Sequence, residues 1–249
     1  MARKSQISAN TDIETTQTKS KINHHLKIRI DDLKTFEPLT ANQKKFFDAY
    51  KLGDYFIALH GVAGTGKTFI ALYKALEEVL DKGNPFDKII IVRSAVPSRD
   101  VGHLPGDLNE KTEIYRQPYQ QICHTLFGRP DAYQRLEEQH HIEFISPSYI
   151  RGMSFDNSII IVDEVQNLSF SELDTVMTRV GYRSKIIFCG DYRQTDLNKK
   201  NDMSGLLKFF DIAHHMSAFT RVEFTVDDIV RSSLVRDYLV AKLQHEDGN

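Results

Sequence analysis

The sequence predicts an α/β protein with a mostly parallel sheet and helices on both faces. Three observations carry this. Apolar runs of strand length, YFIALH (55–60), KIIIVRSAV (88–96), SIIIVD (158–163) and SKIIFCG (184–190), are separated by segments of helical period. Within these runs apolar residues follow one another without alternation, as in strands covered on both faces. A glycine-rich stretch, HGVAGTGKT, joins the first of them to the helix that follows.

The elements follow in order. Residues 1–22 are polar, poor in aromatics and without period, and are expected to form a disordered tail. LKIRIDDL (26–33) alternates apolar and polar residues and reads as a half-buried strand. FEPLTANQKKFFDAYKLGD reads as a helix capped by Thr40, with Phe46, Phe47 and Tyr50 along one side and Gly53 as its stop. After the 55–60 strand, TFIALYKALEEVL (68–80) has the i, i+3, i+4 spacing of an amphipathic helix. Beyond the 88–96 strand comes a polar, glycine-containing passage, SRDVGHLPGD (98–107), and then helix through Phe127 and beyond. HIEFIS (141–146) is a further strand, and SFSELDTVMTRV (169–180) is a helix capped by Ser169 or Ser171. RVEFTV (221–226) reads as a last strand and VRSSLVRDYLVAKLQ as a final helix. Residues 23–249 are expected to form a single domain.

Bulk properties narrow the class. A chain of 249 residues, 41% hydrophobic and 27% charged, has the composition of a globular protein with a sizeable core. No apolar run approaches the ~20 residues of a membrane span, and MARKSQISAN lacks the apolar core of a secretory signal. Cys123 and Cys189 form neither a disulfide framework nor a CxxC pair, so a reducing cytoplasm is the expected location. The net charge of −2 speaks against a uniformly basic nucleic-acid binder and leaves room for a local basic patch. Histidine pairs at 24–25, 140–141 and 214–215 lack a second ligand pair at metal spacing.

HGVAGTGKT fits G-x-x-x-x-G-K-[ST] through Gly61, Gly66, Lys67 and Thr68, with Gly64 inside the loop. Glycines let the backbone turn its N–H groups inward, and the start of the helix adds partial positive charge, so the loop suits phosphate. Gly61, Val62, Ala63, Gly64, Thr65, Gly66, Lys67, Thr68 and Phe69 are the expected nucleotide contacts. Lys67 is expected on the β and γ phosphates, and the Thr68 hydroxyl on Mg²⁺. The guanine-reading N/TKxD motif is missing: NEKTE and LNKKND come nearest and neither fits its position, which favours ATP.

Ligands of open α/β sheets sit outside the carboxyl ends of the strands. Asp163 ends its strand on the loop's side if the strands are parallel, where it can help hold Mg²⁺. Glu164 follows, placed to orient and deprotonate an attacking water. In IIFCGDYRQTDL, Gly190 and Asp191 stop a third strand, and the neutral amide of Gln194 is expected to report on the γ-phosphate and attacking water.

These stretches together resemble the helicase-type core of superfamily 1, and more closely the PhoH family of ATPases, in order from about residue 36 to 240. FEPLTANQ resembles the adenine-reading motif ahead of the phosphate loop, which implies Gln43 as adenine partner. IIIVRSAV, GHLPGD and EKTEIYRQPYQ resemble the family's stretch between the two Walker motifs. IIVDEVQN and LDTVMTRVG resemble its DEAQN and LTRxG motifs, which singles out Gln166 as a link between the γ-phosphate region and the CGDYRQ loop. CGDYRQTDL resembles GDxxQxDL, and FTVDDIVRSSLV the late motif around an arginine, here Arg231. Ser94 stands where proline is expected, and Ser232-Ser233 where His-Pro is expected, which loosens the placing of Arg93 and Arg231.

The resemblance implies a RecA-like P-loop NTPase that hydrolyses ATP with Mg²⁺ and acts on RNA or single-stranded nucleic acid. The N-terminal region is too short and polar for the nuclease domain fused to some relatives, and no acid cluster supports a nuclease site. With one phosphate loop, the positive group on the γ-phosphate comes from this domain or from a neighbouring chain. The second option implies a homo-oligomer, a hexameric ring, with an arginine supplied in trans; Arg231, Arg179 and Arg93 are the candidates in that order. The passage 98–120 interleaves Arg99, His103, Lys111 and Arg116 with Tyr115 and Tyr119, a pattern for single-stranded nucleic acid and equally for charged helices with buried tyrosines. The alternative function is an ATP-gated oligomeric scaffold that hydrolyses slowly and moves nothing.

Overall fold

Among the residues described by the computed structural model, 27–94, 108–191 and 200–247, six strands pair into one sheet. They are β1 (Phe56–Gly61), β2 (Lys88–Arg93), β3 (Ile142–Ile145), β4 (Ser158–Asp163), β5 (Lys185–Gly190) and β6 (Phe219–Phe224). Their order is β3-β2-β4-β5-β1-β6, and every pairing is parallel. Parallel neighbours need crossovers, and the chain supplies helices for them. These are α1 (Ala41–Lys51), α2 (Lys67–Leu80), α3 (Leu108–Phe127), α4 (Ala132–Glu138), α5 (Phe170–Met177), α6 (Lys200–His214) and α7 (Ser233–Asp247).

The two faces of the sheet bury separate cores. Ile57 and Leu59 of β1 pack with α1 to α4, against Phe46, Leu72, Leu76, Cys123 and Leu136. Phe56 and Ala58 point the other way, toward Leu173 and Val176 of α5 and Leu206, Phe209 and Phe210 of α6. The central strands are buried along their whole length, which accounts for their unbroken apolar runs.

Local signals fix the ends. The Thr40 hydroxyl accepts the Gln43 N–H at 3.3 Å and caps α1, and Ser169 with Glu172 forms a reciprocal capping box on α5. β6 runs from Phe219 to Phe224, two residues earlier than the sequence pattern places it. Thr225 and Asp228 end it by capping a short 3-10 turn. α6 is not anticipated from the sequence, although Leu206, Phe209, Phe210 and Ala213 follow helical spacing and are buried.

The strand expected over 26–33 is not there. Ile28 is buried, but Ile30–Asp32 form a 3-10 turn, with the Arg29 N–H donating to Asp32 Oδ2 at 2.9 Å. A short acid beside the backbone offers it a local partner that competes with a ladder. The tail expected over 1–22 lies outside the described residues. No described helix is long and apolar enough to cross a membrane.

Candidate active site

Parallel strands bring their C-terminal ends to one edge, and the sequence-predicted groups collect there. Gly61 ends β1, Arg93 ends β2 in register with Asp163 at the end of β4, and Gly190 ends β5. The loop from Gly61 to Gly66 turns through positive φ at Gly61, Gly64 and Gly66, and α2 starts at Lys67. These are torsions that other residues adopt only with strain. At Gly61 space matters as well, because a Cβ would collide with the Phe224 carbonyl of the neighbouring strand.

The loop is braced from outside. The Val62 N–H donates to Phe224 O at 3.1 Å, and its side chain is buried against Ile229 and Leu243. Val62 therefore anchors the loop from outside, with its N–H held by the end of β6. The Gly64 carbonyl accepts the Val230 N–H at 3.0 Å. Gln43 braces the other flank: Nε2 donates to Thr65 O at 3.0 Å, and Oε1 accepts the Leu39 N–H at 2.8 Å. Both ends of its amide are thus held by backbone, and Gln43 is 3% exposed. Ala63 is half-buried on the loop, and the Phe69 ring stacks edge-on against Phe36 at 5.1 Å.

Lys67 folds its ammonium into the loop, donating to the carbonyls of Gly61 and Val62 at 2.8 Å each and to Thr65 Oγ1 at 3.3 Å. Burial pulls its pKa down, while Asp191, Glu164 and Asp163 pull it back up. An ammonium surrounded by acceptors inside a loop of turned amides is poised to exchange those carbonyls for phosphate oxygens.

Asp163 is buried, and each of its oxygens takes a hydroxyl. Thr68 Oγ1 donates to Oδ1 at 2.7 Å, and the Tyr119 hydroxyl donates to Oδ2 at 2.7 Å. This answers how an acid tolerates the end of an apolar strand: a buried carboxylate is costly unless hydrogen-bonded and balanced by charge, and Lys67 and Arg93 supply charge nearby. A hydroxyl and a carboxylate in contact form an oxygen donor set that fits Mg²⁺ with its remaining positions filled by water and phosphate oxygens. No group of three His, Cys, Asp or Glu side chains that suits a metal occurs among the described residues.

Glu164 adopts φ of 51°, a left-handed conformation uncommon outside glycine, and so turns off the strand axis. Its pKa is raised by burial first and by the neighbouring Asp163 second. Glu164 Oε2 accepts from Gln166 Nε2 at 2.5 Å, and Gln166 Oε1 accepts the Asp191 N–H at 3.1 Å. Gln166 thereby ties the acid of β4 to the chain leaving β5. Gly190 keeps that path open, because a Cβ there would collide with Gln166 Oε1. Gln194 lies outside the described residues.

The arginines part company. A Cβ at Gly64 would sit 3.1 Å from Arg231 Cγ, so Arg231 lies over the phosphate loop of its own chain. Arg93 is half-buried beside Tyr119 and Asp163, with its guanidinium 5.9 Å from the Tyr115 ring centre. Arg179 is far from the loop: its carbonyl accepts the Phe155 N–H, just ahead of the start of β4 and at the opposite end of the sheet.

Tyr119 follows the second reading of the passage 98–120, a buried tyrosine on a charged helix. It is fully buried, not free to stack on bases, and Arg116 in the same passage lies 3.4 Å from Glu137 and over the Phe144 ring. The signal lay in the spacing of Tyr119, Cys123 and Leu126, which marks the buried face of α3. Arg99 and His103 lie outside the described residues.

Comparison with known proteins bears on the family and the fold. Residues 35–242 match the family model for PhoH, the PhoH-like proteins. A PhoH-like protein of Bacillus subtilis (strain 168) is 34% identical over 209 residues, which cover 84% of this chain and 64% of that protein. Protein PhoH of Escherichia coli (strain K12) is 33% identical over 183 residues, covering 73% of this chain and 51% of the relative. The chain therefore spans between half and two thirds of the length of these relatives. Among solved structures, the large terminase of a thermophilic bacteriophage in complex with ADP superposes with a TM-score of 0.51 at 12% identity, over 81% of this chain and 49% of that one. At that identity the likeness concerns the fold, which is that of P-loop NTPases.

Proposed function

The chain belongs to the PhoH-like protein family, and from that premise we propose that it hydrolyses ATP with Mg²⁺, coupled to RNA or single-stranded nucleic acid. The observation that carries the hydrolytic reading is the continuous polar path Thr68–Asp163, Glu164–Gln166, Asp191 along one sheet edge beside Lys67. It joins the phosphate loop to an acid, and the acid to a second loop.

Each side chain then has a task. Lys67 leaves the loop carbonyls for the β and γ phosphates, and the inward amides of the loop hold the rest of the chain of phosphates. Thr68 and Asp163 hold Mg²⁺, which when bound neutralises charge on the β and γ phosphate oxygens. Glu164 takes the proton of the attacking water, a role that suits a carboxylate whose pKa is raised by burial and by Asp163. Gln194 senses the γ-phosphate from the loop that Gln166 tethers. Gln43 holds the loop's shape, and an adenine contact would require it to release Thr65 or Leu39. Arg231 supports the phosphates in cis, consistent with its stem over Gly64.

The nucleic-acid coupling rests on the family resemblance, together with the Gln166 tether. A tether lets events at one loop alter the geometry of the acid. A homo-oligomer, hexameric in the family pattern, is a second reading favoured by the exposed Leu234, Val235 and Tyr238 of α7 close behind Arg231. A cytoplasmic location is proposed on the two free cysteines, Cys123 and Cys189. The deciding experiment is the ATPase rate with and without single-stranded RNA. Stimulation supports the coupled ATPase, and a slow rate indifferent to RNA supports the ATP-gated scaffold instead. Mass measurement with and without ATP tests the oligomer, and a monomer in both states removes any arginine in trans.

A further inference from the structure

Tyr119 does something that packing alone does not require. Its side chain is fully buried on α3, and its hydroxyl meets one oxygen of Asp163 while Thr68 meets the other. A core position that needed only volume would accept phenylalanine, and a phenol is costly to bury without a partner. The partner here is the carboxylate next to the phosphate loop. Arg93 lies against the same hydroxyl group and ends the strand in register with Asp163.

We infer that Tyr119 is a positioning residue for the cation: its hydroxyl holds the Asp163 carboxylate in the orientation that receives Mg²⁺. This inference rests on the reading of Thr68 and Asp163 as the Mg²⁺ site. Thr68 would meet the cation through an oxygen lone pair while its proton still donates to Asp163 Oδ1. The hydrogen bond from Tyr119 to Oδ2 would hold the other side of the carboxylate, so that the group keeps one orientation toward the cation. Partners of this kind govern ligand orientation and metal affinity while touching neither metal nor substrate.

The test uses the full chain and Tyr119→Phe. Binding of Mn²⁺ in the presence of ADP, followed by electron paramagnetic resonance, is expected to weaken about ten-fold, in the range for loss of a group that orients a metal ligand. The Mg²⁺ concentration for half-maximal ATPase should rise by the same factor, with kcat at saturating Mg²⁺ within about two-fold of the original. ADP affinity without metal should not change. A double-mutant cycle separates positioning from packing: in an Asp163→Asn background, Tyr119→Phe should have no further effect on Mn²⁺ affinity. Unchanged Mn²⁺ affinity in Tyr119→Phe overturns the inference, whether or not thermal stability falls, and so does full additivity in the cycle. If Thr68→Ala and Asp163→Asn both leave Mn²⁺ affinity intact, the cation site itself has been misassigned and the inference falls with it.

Discussion

Gln166 joins Asp191 across the sheet edge: its Oε1 accepts the Asp191 N–H at 3.1 Å while its Nε2 holds Glu164 Oε2 at 2.5 Å. One neutral amide thus spans from the acid after β4 to the loop after β5. An amide suits this place because it donates at one end and accepts at the other, where a carboxylate would accept at both. The buried Asp191 N–H and the Glu164 carboxylate are both satisfied by the same group.

Gln166→Ala should therefore lower kcat by on the order of ten- to a hundred-fold through misplacement of Glu164, with a smaller effect on KM. The hydrogen bond from Gln166 lowers the Glu164 pKa against the larger raising effects of burial and Asp163. Its loss moves that pKa further up. A base must be deprotonated, so the acid limb of the kcat profile should shift to higher pH in the variant. A pH–rate profile measures this, and coincident acid limbs in both proteins would show that Glu164 is not the titrating group.

Glu164→Gln should retain ATP binding and lose turnover by about 10²–10⁴-fold, the range for a positioned general base. Equilibrium binding of a fluorescent ATP analogue checks the first half and steady-state hydrolysis the second. Unaltered hydrolysis would remove Glu164 from the mechanism.

The sheet and the phosphate loop were legible because their signals are local. Unbroken apolar runs gave β4 its bounds to the residue, and three turning glycines before Lys67-Thr68 marked the loop. The fate of LKIRIDDL was not legible, since alternation reports exposure and not whether a ladder partner exists; Asp32 supplied a local one. The sequence leaves Tyr119 between two readings for a related reason: tyrosines among cations look alike whether they face bases or a buried carboxylate, and only the fold brings Asp163, 44 residues away, to the hydroxyl. Gln43 was legible as part of the site through resemblance, yet its two backbone bonds assign it to the loop's shape.

That assignment has its own consequence. If Gln43 braces the loop, Gln43→Ala leaves the buried Thr65 carbonyl without its partner, at a cost of about 1–3 kcal/mol if it stays dry, and releases the Leu39 amide on an exposed residue. Thermal stability should fall, and affinities for ATP and GTP should weaken by similar factors. Competition binding with the two nucleotides decides it. A loss confined to ATP would make Gln43 an adenine reader.

His60, the last residue before the loop, should make stability pH-dependent. It is 2% exposed and accepts a hydrogen bond from Arg221 Nε through Nε2. Its pKa is lowered to about 3, by burial first and then by Arg221, Lys67 and His214. The unfolded chain protonates this imidazole near its ordinary value of 6.5, and the folded chain does not until about 3. Between those values the unfolded state binds the extra proton, so the stabilisation is whole above about 6.5 and is lost as pH falls toward 3. His60→Gln keeps an acceptor for Arg221 and removes the titration. The Tm of the original protein minus that of the variant should therefore decrease steadily on acidification from neutral pH. A difference independent of pH would mean that His60 takes up its proton without unfolding the site.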